Sequence, residues 1–469
     1  MAKWWSRWGV AALLLLAGAL LRAGFVWWHP WIAGDSLLYG DLAQNMLRHH
    51  VYGFTEAARI RPTLIRLPGY PVFLAACFAV FGVGNFVAVL WLQALADLGT
   101  CCLIAGLAAR LAGRRVGLWA LGLGMLCPFL ANYAAVPLAE TLTIFCVALA
   151  FYSLERWAAG RLWSWWLAGI AFALAYGVLL RPDEALVVMV VLPAMVWVGW
   201  RRAGLKGVRP ALVVAVVMAV PFVFWGVRNW RIFHVVQPLA PRYANDPGEP
   251  VTYGFNRWYR TWAIDFKATV EVYWNYDGSP VAIGDLPQRA FDDAGQLAET
   301  RRLYTAYNDA GASTKPVDAG FMRLADERIA AHPGRFYVEI PALKLADMWL
   351  RPRTEFMRVP LDWWRFRAHP WQSWVSLGMA LWNAAYLVLA AVGLWVWRRR
   401  GGPVLWAMVG FVVLRCVLLW TLDNAEPRYT LECFPVVVLL AGLAFYRDVR
   451  RKLARDEGLT EHAKGNRGC

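Results

Sequence analysis

The chain has 469 residues, 59% of them hydrophobic and 17% charged, with a formal net charge of +16. Soluble domains carry about a quarter charged residues, and here the polar residues gather in blocks between long apolar runs, which excludes an ordinary soluble enzyme. The basic excess invites a nucleic-acid reading, but no basic face with motif support is present, and the positions of the basic residues have another explanation.

Apolar runs long enough for a hydrocarbon core about 30 Å thick predict ten helical spans, at 9–28, 86–110, 115–131, 138–156, 163–180, 184–200, 211–228, 374–397, 402–421 and 430–446. Lys3 and Arg7 precede the first. Arg110, Arg114 and Arg115 lie between the second and third, and Arg156 and Arg161 follow the fourth. Arg201, Arg202, Lys206 and Arg209 follow the sixth, and Arg398, Arg399 and Arg400 the eighth. Arg447, Arg450, Arg451, Lys452 and Arg455 follow the last. All fall at one side of the alternating spans, as the positive-inside rule requires. Both termini are therefore expected in the cytoplasm of a multi-pass inner (plasma) membrane protein. The first run contains Ala17-Gly18-Ala19, a loose match to a signal-peptide cleavage site, but it continues to Trp28 and reads as an uncleaved anchor. Tyr70 to Phe81 is too short to span and reads as a re-entrant or interfacial helix on the outer side.

The predicted organisation has four parts: 1–228, a transmembrane module with an outer loop at 29–84; 229–372, an extracytoplasmic segment; 373–447, the C-terminal spans; and 448–469, a basic cytoplasmic tail. The fold class expected is all-α polytopic, a bundle of about ten spans with a mixed, mainly helical outer segment. Helices are predicted there over Gly295–Tyr307 and Ala319–Ala331. The cysteines fall mostly in spans, where they pass as small hydrophobes. Neither a CxxC nor a Cys/His ligand spacing appears. The tryptophans suit interfacial belts, as at Trp27-Trp28 and Trp363-Trp364.

Ionisable groups near membrane depth are costly and tend to face a cavity. Five sets fall on the outer side: Asp35 ahead of Tyr39 and Leu42; Glu140 at the start of the fourth span; Arg181-Pro182-Asp183-Glu184; Arg228-Asn229; and Glu426-Pro427-Arg428-Tyr429. Each has a structural alternative. Asp35 suits a helix N-cap, Glu140 complements a helix dipole, and the arginines could be interfacial anchors.

Asp35 with Tyr39, Leu42, Ala43 and Asn45, followed by Arg66-Leu67-Pro68-Gly69-Tyr70-Pro71, resembles the first outer loop of the GT-C glycosyltransferases. The group meant is the protein O-mannosyltransferase, aminoarabinose transferase and lipopolysaccharide-core transferase group (families 39 and 83). Glu140, Arg181-Pro182, Arg228-Asn229, the stretch Ile329 to Phe336, and Pro427-Arg428-Tyr429 with Pro435 are similar to further segments of that group, in the same order. Arg66-Leu67-Pro68 departs from the Lys-Pro-Pro turn of the aminoarabinose branch, and Asp35-Ser36 from the acidic pair of the protein mannosyltransferases.

The resemblance implies inverting transfer of a hexosyl or pentosyl group. The donor would be a polyprenyl-phosphate sugar and the acceptor a hydroxyl of a lipid, glycan or protein, outside the cytoplasm. Asp35 and Glu140 would be catalytic; Arg66, Arg181, Arg228 and Arg428 would hold the donor phosphate; Tyr39, Tyr70, Glu184, Glu426 and Tyr429 would line the substrates. No Asp-x-Asp metal motif is present. His49-His50 reads as a solvated pair rather than a ligand set, so no metal is expected to be required, although a divalent ion would be compatible. The other classes are a transporter or flippase, with Asp97 and Arg22 as its membrane charges, and a lipid-linked polysaccharide ligase or polymerase.

Overall fold

The computed structural model describes residues 2–32, 34–57, 59–276 and 278–446, with side chains from residue 9 onward. Lys3, Arg7, the cluster from Arg447 to Arg455 and the tail 448–469 therefore lie outside the described side chains.

From the N-terminus come α1 (Ala2–Trp28), α2 (Asp35–His49), a two-stranded hairpin of β1 (Gly53–Glu56) and β2 (Arg59–Pro62), and α3 (Gly69–Phe81). Then follow α4 (Phe86–Ala112), α5 (Arg114–Met125), α6 (Pro128–Ala134), α7 (Glu140–Ala158), α8 (Trp166–Leu180), α9 (Ala185–Ala203) and α10 (Leu205–Phe233). The hairpin is antiparallel, with Gly53 opposite Pro62 and Glu56 opposite Arg59. The segment between α10 and the next long helix carries α11 (Tyr253–Tyr259), the single turn α12 (Phe266–Ala268), α13 (Ala294–Ala310), α14 (Lys315–Ala331) and α15 (Ile340–Leu350). The chain closes with α16 (Pro370–Trp397), α17 (Pro403–Thr421) and α18 (Phe434–Leu443).

Every predicted span is helical, but the helices differ in kind. Six are long and apolar enough to cross a membrane: Gly9–Trp28, Phe86–Ala112, Pro182–Ala203, Leu205–Phe233, Pro370–Trp397 and Pro403–Thr421. The predicted span 115–131 is a seventh only as a broken helix, because α5 and α6 meet at 53°. Pro128 at the first position of α6 sets this break, since it cannot continue the preceding helix. The remaining predicted spans correspond to α7, which carries Glu140, Glu155 and Arg156 at its ends, to the 15-residue α8 and to the 10-residue α18. Every residue of α18 is buried, so it is the centre of the bundle, sheltered by its neighbours. The stretch 70–81 is the short helix α3, as expected.

Apolar burial drives helix association weakly inside lipid, so close packing and small residues decide it. A Cβ on Gly393 of α16 would lie 1.8 Å from the carbonyl oxygen of Leu440 in α18. A Cβ on Gly69 would lie 2.5 Å from that of Leu179, which fixes α3 against the end of α8. The pair singled out for a transporter is locked. Arg22 donates to Asp97 at 2.8 Å, to the Gly124 carbonyl at 3.1 Å and to that of Met125, tying α1 and α4 to the end of α5.

The two helices expected in the outer segment are α13 and α14. With α11 they enclose their own aromatic cluster, including Phe255, Trp258, Tyr259, Trp262 and Phe321. Arg328, buried among them, donates to the Thr261 hydroxyl at 2.8 Å, the Gln296 side chain at 2.6 Å and the Arg289 carbonyl at 3.1 Å. The base of this segment rests on the membrane bundle, where the Thr269 hydroxyl and the backbone of Ala425 exchange hydrogen bonds at 3.1 and 3.2 Å.

Candidate active site

One set of helix ends converges on one ionic cluster. Asp35 opens α2, Glu140 opens α7, Arg181 closes α8, and Arg428 lies in the 3-10 turn Pro427–Cys433 before α18. Chain direction alternates from span to span, which is why residues so distant in sequence share one end of the bundle.

Asp35 is not an N-cap. Gly34 holds that position with a positive φ of 57°, and no side chain caps the helix. Freed from capping, the Asp35 carboxylate sits between two guanidiniums, with Arg66 Nη2 at 3.1 Å on one oxygen and Arg428 Nη1 at 3.2 Å on the other. Burial pushes the Asp35 carboxyl up, but Arg428 and Arg66 outweigh it and hold the group below the ordinary carboxylate value. Arg66 also keeps one donor, Nε, buried with no acceptor.

Arg428 is oriented by Glu426, which accepts from both its Nε and its Nη2, and it lies 3.6 Å from Glu140. Glu140, 2% exposed, is held by Arg181 at 2.9 Å. Arg181 in turn contacts Asp183 at 3.3 Å and Glu432 at 3.2 Å, and its guanidinium lies 5.1 Å from the centre of the Tyr429 ring. Tyr39 packs edge-on against Tyr70 with ring centres 5.0 Å apart.

Behind this front row stands a second group, of which Arg415 and Glu432 are not among the residues expected from the sequence. Arg415 of α17, with no exposed surface, pairs with Asp183 and Glu184 and lies 3.8 Å from Glu432. An arginine inside an apolar span is a signal that sequence alone supplies, and so is the glutamate of Tyr429-Thr430-Leu431-Glu432. One oxygen each from Asp183, Glu184 and Glu432 falls within 4.8 Å of the others, close enough to share a cation; the Arg415 guanidinium is the cation in contact with all three.

Three expected residues lie elsewhere. Arg228, expected among the phosphate ligands, donates at 2.7 Å each to the backbone carbonyls of Thr63 and Tyr52, so it braces the loop between α2 and α3. No ion pair joins it to Asp35 or Glu140 among the described residues. Tyr70 is fully buried, with its hydroxyl 2.6 Å from the Gln93 side chain. Glu184 serves Arg415 behind the front row. His49 and His50 lie exposed at the end of α2, where His50 takes the left-handed closing position.

Residues 62–225 match the family model described as dolichyl-phosphate-mannose-protein mannosyltransferase. No curated protein matches the sequence significantly. Among solved structures, an oligosaccharyltransferase from Archaeoglobus fulgidus tethered with an acceptor peptide aligns over 94% of this chain and 49% of its own, at 14% identity and a TM-score of 0.50. AglB from the same organism, in complex with an inhibitory peptide and a dolichol-phosphate, aligns over 100% and 52%, at 14% identity and a TM-score of 0.48. ArnT from Cupriavidus metallidurans, bound to undecaprenyl phosphate, aligns over 95% and 79%, at 17% identity and a TM-score of 0.39. The chain spans about half the length of the two oligosaccharyltransferase chains. It is a polytopic membrane protein with the GT-C-type fold of the peptide-tethered oligosaccharyltransferase, and its residues 62–225 are similar to the mannosyltransferase family.

Proposed function

We propose that the chain moves a sugar from a polyprenyl-phosphate donor to an acceptor hydroxyl at the outer face of the membrane. The observation that carries the proposal is Asp35 held between Arg66 and Arg428, at 3.1 and 3.2 Å, with Arg66 Nε left without an acceptor. A carboxylate beside convergent guanidiniums serves both ends of such a reaction. The family matched by residues 62–225, whose description names a dolichyl-phosphate sugar donor, supports the same chemistry.

In the proposed step the acceptor oxygen attacks the anomeric carbon of the sugar. The bond from that carbon to the phosphate oxygen breaks, its electron pair stays on the phosphate, and the acceptor proton passes to Asp35. One displacement with one base inverts the anomeric centre. The phosphate gains charge as it leaves, and Arg66 and Arg428 are aimed where that charge develops. Donor phosphate also competes with Asp35 for both guanidiniums, so its arrival raises the proton affinity of the base when the acceptor needs it. Glu140 holds Arg428 and orients the acceptor; Arg181, engaged by Glu140, Asp183 and Glu432, positions Glu140. Arg228 orders the loop that carries Arg66. Tyr39, Tyr429 and Glu426 complete the lining.

The transferred group is a hexose or pentose and the acceptor a lipid, glycan or protein. Aliphatic surface between the spans holds the polyprenyl chain. The site faces away from the cytoplasm of a plasma membrane, because the basic clusters lie at the opposite helix ends. No resident metal is required, since guanidiniums supply the positive charge. A transporter reading would need Arg22 and Asp97 free to exchange partners, whereas Asp97 is paired with Arg22, and Arg22 is engaged both by Asp97 and by the end of α5.

The experiment is mass spectrometry of envelope lipids, glycans and proteins from a strain lacking the gene and from one carrying it on a plasmid. Loss of one sugar increment, restored by the plasmid, is the expected result. Identical profiles from the two strains, with the protein present in the membrane, would contradict the proposal.

A further inference from the structure

Next to the ionic cluster lies a set of enclosed polar atoms that the proposed step does not use. The hydroxyl of Tyr133 and both carboxylate oxygens of Glu355 are buried and have no hydrogen-bond partner. Such atoms are uncommon in folded proteins and each is costly to leave unpaired. A buried tyrosine hydroxyl in particular usually finds a partner.

Their location follows from the bonds around them. Tyr133 lies in α6, and its carbonyl accepts from the Thr141 hydroxyl at 3.2 Å, next to Glu140 in sequence. Glu355 follows Arg353, which donates to the Pro427 carbonyl at 3.1 Å, next to Arg428. The ring of Phe356, the residue after Glu355, packs edge-on against Tyr133 with centres 5.0 Å apart and lies 6.3 Å from Trp31. The Tyr133 hydroxyl is within electrostatic reach of Glu355, Glu140 and Arg428. Arg353 takes a left-handed φ of 59°, an uncommon conformation for a side-chain-bearing residue. Two residues before Glu355, it is held there by Asn383 at 3.2 Å and Thr430 at 2.6 Å.

A carboxyl group, a phenol and aromatic faces, placed beside the reacting centre but outside its ion pairs, match a ring carrying hydroxyls on an apolar skeleton. We propose that Tyr133 and Glu355, walled by Trp31 and Phe356, form the subsite that binds the hydroxyls of the transferred sugar and selects it. The Glu355 oxygens accept from two sugar hydroxyls, Tyr133 accepts from or donates to a third, and the aromatic rings cover the C–H face. The subsite rests on the glycosyl-transfer reading, since it gives the sugar a place at the Glu140 and Arg428 end of the site.

The test uses the full-length protein in lipid nanodiscs. Binding is measured to undecaprenyl phosphate and to a panel of undecaprenyl-phosphate sugars carrying glucose, mannose, galactose and a pentose. The expected result has the wild type binding one panel member tighter than undecaprenyl phosphate. Tyr133→Phe and Glu355→Gln, both close in shape to the originals, should each weaken that preference about tenfold and leave undecaprenyl phosphate affinity unchanged. Arg66→Gln should weaken both ligands. Preference for the sugar lipid unaltered in both variants would overturn the subsite, and so would an equal loss for both ligands. A wild type that binds undecaprenyl phosphate but prefers no sugar also overturns the subsite while sparing the lipid-phosphate reading. Failure to bind any polyprenyl phosphate would instead contradict the reading beneath it.

Discussion

Asp35 and Arg428 are 393 residues apart in sequence and 3.2 Å apart in space. The contact joins the start of α2 to the turn before α18, so the site closes only when the whole bundle has formed. Several elements serve that meeting. The break at Pro128 turns the α5–α6 chain, Gly69 lets α3 settle against α8, and α18 sits at the centre of the bundle.

The arginines beside Asp35 should not be replaceable by lysine. A lysine offers a point charge where Arg428 reaches Asp35, Glu426 and Glu140 with a planar fork. Arg428→Lys and Arg66→Lys are each expected to lower turnover about a hundredfold, the usual cost of removing one donor to a developing oxyanion. Membrane-extract kinetics with the donor identified by the mass-spectrometric screen would check this, and turnover within a factor of two of wild type would count against the assignment.

Arg228 should behave differently. Its two carbonyl bonds to Tyr52 and Thr63 order the loop that carries Arg66. Arg228→Gln is therefore expected to expose the 50–66 segment to limited proteolysis, with only a small change in undecaprenyl phosphate affinity once the loop is intact. A loss of phosphate affinity without added protease sensitivity would restore Arg228 to the donor site.

The Arg22–Asp97 pair gives a stability prediction. Both groups are almost fully buried, so Arg22→Leu leaves an uncompensated carboxylate and should cost about 3–5 kcal/mol. The double change Arg22→Leu with Asp97→Leu should recover much of that, because the unpaired charge is gone. Thermal unfolding in detergent reads both, and a double variant no more stable than Arg22→Leu alone would contradict the account.

The pH dependence follows from the lowered value of Asp35. An aspartate in the unfolded chain titrates near pH 3.9, and the folded value lies below it. The ion pairs of Asp35 therefore contribute fully above about pH 4 and are lost as pH falls through the folded value. The stability difference between wild type and Asp35→Asn should stay constant from neutral pH down to about 5 and shrink only in stronger acid. A difference that already shrinks near neutral pH would show the carboxyl to be raised instead.

Much of this architecture is legible in the sequence, for physical reasons that can be named. Apolar runs and the alternation of basic residues locate the helices and put Asp35, Glu140, Arg181 and Arg428 at one end of them, because topology is set by solvation and charge. Three features are hidden. The partners of a given arginine depend on helix rotation, which composition does not encode, so Arg228 and Arg428 read alike although one braces a loop and the other meets Asp35. Charges inside a span look like exceptions until their partners are known; Arg415 and Glu432 are of this kind. Tyr133 and Glu355 carry no sequence signal beyond their types, since their significance lies in bonds they do not make.

The most direct test is Asp35→Asn, expressed from a plasmid in the deletion strain and followed by mass spectrometry of the glycosylated product. Asparagine keeps the size and the helix-start preference of aspartate but cannot take the acceptor proton. Protein at wild-type level in the membrane with product reduced at least about a hundredfold is the predicted result. Wild-type product from Asp35→Asn at the same protein level would contradict the account.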